Sequence, residues 1–264
     1  MNGRARQLAE IVVPPLLLFV VVIALWETVV IVAHVPKYIL PRPSQVWAAA
    51  IANRDELLQA TQLTAEAAMA GFGLSLIVGS LVAMLFSQSK LVTRAFYPYA
   101  IFLQTVPIVA IAPIIIIWFG FGLQSVVLVA FIISLFPIIA GGASGMTLVD
   151  PNLLELFTLY NASRLQTLLK LRLPHAAPYL VTAAKTSSGL AVVGAIVGEI
   201  YAGYGTTSQA LGYLITQTNG MQQTDLLFAT VACATLLGLA MFASVSAVGA
   251  LALRRWHSAG RREA

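Results

Sequence analysis

Two glutamates stand inside long apolar runs of this sequence, Glu27 in LFVVVIALWETVVIV and Glu199 in AVVGAIVGEIYA. A charge at the centre of a membrane helix costs about 2.5–3.5 kcal/mol on insertion scales, so each carboxylate needs protein, water or an interface beside it. Glu27 suits the headgroup level at the outer end of its run. For Glu199 two roles are open: lining a solute path or gate, or accepting hydrogen bonds between helices. Gln104 and Thr105 beside Pro107, and the pair Ser187 and Ser188, are also polar at apolar depth. Such side chains either face a cavity or bond their own helix backbone. His34, His175 and His257 lie at different levels, with neither metal-ligand spacing nor a Ser/His/Asp grouping. The single cysteine, Cys233, gives no disulfide framework. There is no G-x-x-x-x-G-K-[ST] phosphate loop. These residues form no catalytic constellation, and no metal or cofactor is expected on the chain itself.

The composition says what must position them. Of 264 residues, 59% are hydrophobic and 9% charged, against about 25% charged in soluble domains, which places the chain in the membrane class. Six segments are apolar over the length a bilayer requires: 11–33, 66–86, 95–119, 123–146, 182–203 and 226–253. The first is too long for a signal-peptide core and lacks an A-x-A site, so it reads as a retained span. With the N-terminus inside, only Lys37, Arg42 and Arg54 of the 15 basic residues fall outside. The positive-inside rule therefore predicts both termini in the cytoplasm. The pI near 9.6 is then a consequence of topology and does not point to nucleic acid. The expected architecture is all-α, one polytopic domain over 1–264 in a lipid bilayer, with a cytoplasmic loop at 147–181.

Between the spans, the outer segment LPRPSQVW predicts a helix from an N-cap at Ser44 to about Asn53. The other long outer stretch, 203–224, is rich in Gly, Thr, Gln and Asn. The FGFGL turn at 119–123 makes spans three and four antiparallel neighbours. Pro107, Pro113 and Pro137 fall inside spans and predict kinks. Gly141 with Gly145, and Gly194 with Gly198, form GxxxG pairs that permit close helix approach.

The loop segment DPNLLELFTLYNASRLQTLLKLRLP is too charged to span and too well capped to be irregular. Asp150 and Pro151 open a helix, Asn161 suits the left-handed turn that ends it, and Ser163 with Gln166 forms a capping box for a second. Pro174 is expected to stop that second helix. A helix–turn–helix of this kind either lies on the inner leaflet or docks a partner. For Arg164, in a first turn where a positive charge gains nothing from the helix dipole, a partner contact and a lipid headgroup both remain open.

The spacing of this segment resembles the EAA loop of binding-protein-dependent ABC transporter permeases: E-A-A, three residues, G, nine residues, I-x-L-P. Glu155 stands at the glutamate, Leu156 and Phe157 at the alanines, Asn161 at the glycine, and Leu171 to Pro174 at the final motif. LPRPSQVW, VPIVAIAPIIIIWFGFG, LRLPHAAPYL, VVGAIVGEI and ALGYLI, in order, are similar to the nitrate/taurine/sulfonate group, which includes riboflavin and thiamine-precursor permeases. The resemblance implies a type I ABC importer permease fold in the bacterial inner membrane. It implies a second permease copy, an ATPase dimer that holds ATP and Mg, and an external solute-binding protein. ATPase coupling would fall to Glu155, Leu156, Phe157, Asn161, Ala162, Ser163, Arg164, Leu173 and Pro174, with Glu155 anchoring the coupling helix. The path or gate candidates are Gln104, Thr105, Pro107, Ser187, Ser188 and Glu199. The rival is an ion-driven secondary transporter, which needs midplane coupling residues and usually internal repeats.

Overall fold

The computed structural model describes residues 3–202 and 209–259, so the first part of the 203–224 segment and the basic residues Arg261 and Arg262 lie outside the described residues. All regular elements among the described residues are helical. Five helical stretches are long and apolar enough to cross a membrane: Val13–Val32, Arg54–Gln88, Leu123–Thr147, Arg164–Ala202 and Thr224–Arg254.

Helix α1 (Gly3–Val32) leads to the short helix α2 (Pro43–Ala52). The cap of α2 is Arg42, not Ser44 as the sequence predicts. Pro43 takes the first helical position, where its missing N–H is no loss. Ser44 turns to Glu27, whose carboxylate accepts from the Ser44 N–H (3.1 Å) and hydroxyl (2.9 Å). Glu27 thus satisfies a first-turn donor of α2 from the neighbouring helix, and Gln45 Oε1 accepts from the Arg42 N–H at 3.0 Å.

Helix α3 (Arg54–Gln88) begins well before the expected span at 66–86. At 1.5 Å per residue its 35 residues extend about 52 Å, well beyond a hydrocarbon core of about 30 Å. The expected third span is two helices, α4 (Lys90–Thr105) and α5 (Ile108–Phe119). Val106 is extended (φ −70°, ψ 124°) because the residue before a proline avoids the α region, and Pro107 opens α5. Pro113 and Pro137, by contrast, stay within α5 and α6 (Leu123–Thr147). The α5–α6 turn uses positive φ at Gly120 (84°) and Gly122 (127°), and it packs Ala112 and Ile115 of α5 against Val129 of α6.

After α6 come α7 (Pro151–Leu159), α8 (Arg164–Thr167), a π turn (Leu168–Arg172) and α9 (Leu173–Ala202). The expected stop at Pro174 does not occur. The π turn has the Leu173 N–H donate to Leu168 O, five residues back, and this wider turn just ahead of the proline lets the helix continue through it. Helices α10 (Leu211–Gly220) and α11 (Thr224–Ala259) complete the chain.

The core is a three-helix stack of α3, α6 and α9, and its register is set by small residues. A Cβ on Gly194 would stand 2.7 Å from Ala130 Cα, and one on Gly198 3.0 Å from Val126 Cα. Conversely, a Cβ on Gly141 would stand 2.6 Å from Ala183 Cβ, and one on Gly145 2.8 Å from Ala176 Cα. The two GxxxG pairs therefore serve one antiparallel α6–α9 interface, each helix seating the other. Helix α3 runs parallel to α6: Gly71 abuts Ala130, Gly79 abuts Ile138, and Ala83 abuts Gly142. Midway along, Ser75 Oγ and Ser134 Oγ are 2.9 Å apart. With little hydrophobic drive between helices in lipid, such close backbone approach and buried hydrogen bonds hold them together.

Candidate functional site

The loop between α6 and α9 is as ordered as its caps require. Asp150 Oδ1 accepts from the Asn152 N–H (2.9 Å). Asn161 adopts φ 49°, and the Ala162 N–H donates to Phe157 O (2.9 Å), which closes the end of α7. Ser163 Oγ accepts from the Gln166 N–H (3.2 Å) while Gln166 Oε1 accepts from the Ser163 N–H (2.8 Å), a complete capping box. Glu155, Leu156, Phe157, Asn161, Ala162, Ser163 and Arg164 are thus held in one helix–turn–helix. Leu173 and Pro174 lie beyond the π turn, half-buried in the first turn of α9.

Helix α7 has two different faces. Leu153, Leu156 and Tyr160, spaced to share one face, are exposed, Tyr160 to 79%. Leu154 and Thr158 lie on another face, which with Ala162 and Arg164 borders Gln88 at the end of α3. One side chain ties this loop to α3, and another joins the start of α9 to the end of α6. Arg172 donates through Nη1 to the Ser87 carbonyl, and His175 Nδ1 lies 2.8 Å from the Gly145 carbonyl. Sequence reasoning missed both ties, since each is made to a backbone oxygen on a distant helix.

The path candidates do not come together. Gln104, Thr105 and Pro107 are exposed around the α4–α5 break, with the Thr105 hydroxyl donating to Phe102 O (2.8 Å). Ser187 and Ser188 are fully buried within the protomer. Ser187 donates to Ser134 O (2.8 Å), adding α9 to the Ser75–Ser134 junction, and Ser188 donates to Lys185 O in its own helix (2.8 Å). Their hydroxyls donate to helix carbonyls.

Glu199 is 4% exposed and accepts hydrogen bonds from two other helices. Its Oε2 accepts from the Thr64 hydroxyl of α3 and from the Gly212 N–H of α10, each at 2.9 Å. Thr64 Oγ1 in turn accepts from the Leu211 N–H (3.1 Å). A Cβ on Gly212 would stand 2.6 Å from Glu199 Cβ, so glycine is needed for α10 to approach. Glu27 and Glu199 play the same part at two places: each satisfies first-turn N–H donors of another helix.

Apolar helices around a small-residue core, with an anchored helix–turn–helix inserted between two of them, define a multi-pass membrane protein. The chain belongs to the family of binding-protein-dependent transport system inner membrane components, which it matches over residues 75–258. It is 32% identical to a probable ABC transporter permease protein of Haemophilus influenzae, over 88% of this chain and 93% of that protein. It is 32% identical to the formylaminopyrimidine transport permease of Halalkalibacterium halodurans, over 88% and 91% respectively. The riboflavin transport system permease of Chloroflexus aurantiacus is 33% identical, over 88% and 86%. A chain from inward-facing conformations of the MetNI methionine ABC transporter shares the fold, with TM-score 0.60 and 18% identity over 74% of this chain and 97% of that one. The protein is therefore a multi-pass inner-membrane permease component.

Proposed function

We propose that this chain forms the translocation path of an ATP-driven importer. Two copies would pair in the membrane, an ATPase dimer carrying ATP and Mg would dock on the cytoplasmic side, and an external binding protein would deliver the solute. In this reading α4 and α5 together make the third of six crossings, and both termini are cytoplasmic. Gln104, Thr105 and Pro107 border the path at the α4–α5 break, while Glu199 holds its outer end in place. The solute is a small compound of the kind named for the relatives, a nitrate-, sulfonate- or taurine-like anion or a riboflavin- or thiamine-precursor-like compound.

The observation that carries this reading is the anchored helix–turn–helix. Its exposed Leu153, Leu156 and Tyr160 form an apolar face with Glu155 nearby, a surface suited to a groove in another protein. Arg172, in the π turn that continues α8, connects that element to α3, and His175 joins the adjoining start of α9 to α6. A displacement of α7 is thereby delivered to the core stack rather than lost in a flexible loop.

Co-expression with the ATPase and binding-protein genes beside this one tests the assignment in proteoliposomes. ATP-dependent uptake is expected, and uptake by this chain alone, driven by an ion gradient and indifferent to ATP, overturns it. Leu156→Asp places a charge in the apolar contact, and Glu155→Ala removes the expected anchor. Each should weaken ATPase co-purification by about tenfold, roughly 1.4 kcal/mol, with the melting temperature unchanged. Wild-type ATPase association and uptake in both variants would refute the placement of the coupling surface.

A further inference from the structure

We propose that the cavity behind the helix–turn–helix is a phosphate-binding site, filled by the headgroup of an inner-leaflet lipid or by a free phosphate. This rests on the cytoplasmic placement of the loop. The cavity holds about 380 Å³ and lies between α7, α8, the π turn and the end of α3. Its lining includes the guanidinium-bearing Arg164 and Arg172, the amide of Gln88, and the hydroxyl-bearing Thr158 and Thr167, with no carboxylate among them.

The Thr158 and Thr167 hydroxyls donate to Leu154 O and Ser163 O, but the nitrogen donors there are left with too few partners. Arg164 makes no ion pair or hydrogen bond among the described residues. Arg172 donates through Nη1 to Ser87 O, and its second terminal nitrogen has no protein acceptor among the described residues. Gln88 Nε2 is buried and also without an acceptor. A buried donor left unmade is unfavourable, and guanidinium groups pair best with oxyanions through parallel N–H···O bonds. Two guanidinium groups and an amide around one cavity match an anion with three or four acceptor oxygens, as phosphate has, better than a single carboxylate.

Position favours a phosphate over an acidic side chain of the ATPase. Gln88 closes one span and Arg172 immediately precedes another, so the floor of the cavity is at the level where a span leaves the bilayer. The apolar residues suited to a protein partner, Leu153, Leu156 and Tyr160, are not among its lining. The coupling element therefore has one face for a protein and another for an anion, and the anion would bridge α8 to the end of α3. Basic side chains at headgroup level also attract anionic lipid generally, so the site is distinguished by its dependence on Gln88, which carries no charge.

Native mass spectrometry of the detergent-purified full-length chain tests this, with dioctanoyl phosphatidylglycerol and inorganic phosphate titrated separately. At least one probe should bind saturably, and Arg164→Gln should weaken it by about tenfold, the worth of one charge-assisted pair. Gln88→Leu should weaken it by a smaller factor while both variants keep the wild-type melting temperature. Dependence seen with the lipid alone assigns a headgroup, and dependence seen with phosphate alone assigns a free anion. Binding of both probes that is unchanged by Gln88→Leu overturns the proposal, as does an Arg164→Gln variant that loses only ATPase association. Because the readout involves neither ATP nor transport, a chain that binds phosphate but recruits no ATPase would keep this site and lose the importer assignment.

Discussion

Glu199→Ala is expected to lower stability by about 3 kcal/mol, because it strips the acceptor from two buried donors at once. The Gly212 N–H and the Thr64 hydroxyl both end on Glu199 Oε2 at 2.9 Å. Water does not readily replace it, since Glu199 is 4% exposed and Thr64, Leu211 and Gly212 are buried with it. The change also removes the acceptor oxygen at the start of the ten-residue helix α10, where first-turn N–H groups have no partner in their own helix. Glu199→Gln keeps an acceptor oxygen of the same reach and should lose much less. Thr64→Val should fall between them, since it leaves the Leu211 N–H unmet but spares the bond from Gly212. Thermal unfolding of the purified chain orders the three variants. A Glu199→Ala protein that melts like wild type would show that the carboxylate does not hold α10. With uptake restored in the Gln variant and lost in the Ala variant, the role is positional and does not depend on the negative charge itself.

Helix type, the caps of the loop and the small-residue pairs were all legible in the sequence, because each rests on neighbours within four residues. Asp150, Asn161, Ser163 and Gln166 make the local bonds their types predict. Misreadings came where a distant group outbid the local rule. Ser44 is a good N-cap in isolation, but Glu27 claims both its N–H and its hydroxyl. Pro174 is a helix stop in isolation, but a π turn accommodates it. The break at Pro107 was legible only as a kink, since separating two helices also needs Val106 to be extended. The stripe Gly71, Ser75, Gly79 and Ala83 on α3 went unread although its four-residue spacing is visible in the sequence. Its meaning depends on the partner, with Ala130, Ser134, Ile138 and Gly142 set beside it in step. Of the candidate path, only exposure separates Gln104, Thr105 and Pro107 from Ser187 and Ser188, and exposure is a property of the packed stack.

That stack supports the second large prediction. Gly194→Leu should abolish recovery of folded protein, whereas Gly189→Ala, five residues away on the same helix, should be tolerated. A Cβ at 194 meets Ile133 Cγ2 at 2.6 Å and the backbone Cα of Ala130 at 2.7 Å, but a Cβ at 189 meets nothing within 4 Å. Overpacked side chains typically cost about 1–3 kcal/mol because neighbours can rotate away. Here one obstacle is main chain, and moving it separates α9 from α6. Ala130 also sits against Gly71 of α3, so a shift of α6 to relieve α9 drives it into a third helix. The strain therefore has no outlet within the stack. Monodisperse yield on size exclusion and thermal unfolding check the pair, and a stable, monodisperse Gly194→Leu protein would mean that α6 and α9 are not in this register. The same rigidity bears on coupling. In the proposed coupling, Arg172 would pass the loop's movement to α3, which is keyed to α6 by small residues with α9 seated against them. A push on α7 is therefore expected to move the three as one body, leaving the α4–α5 break at Pro107 as the place where the chain can bend.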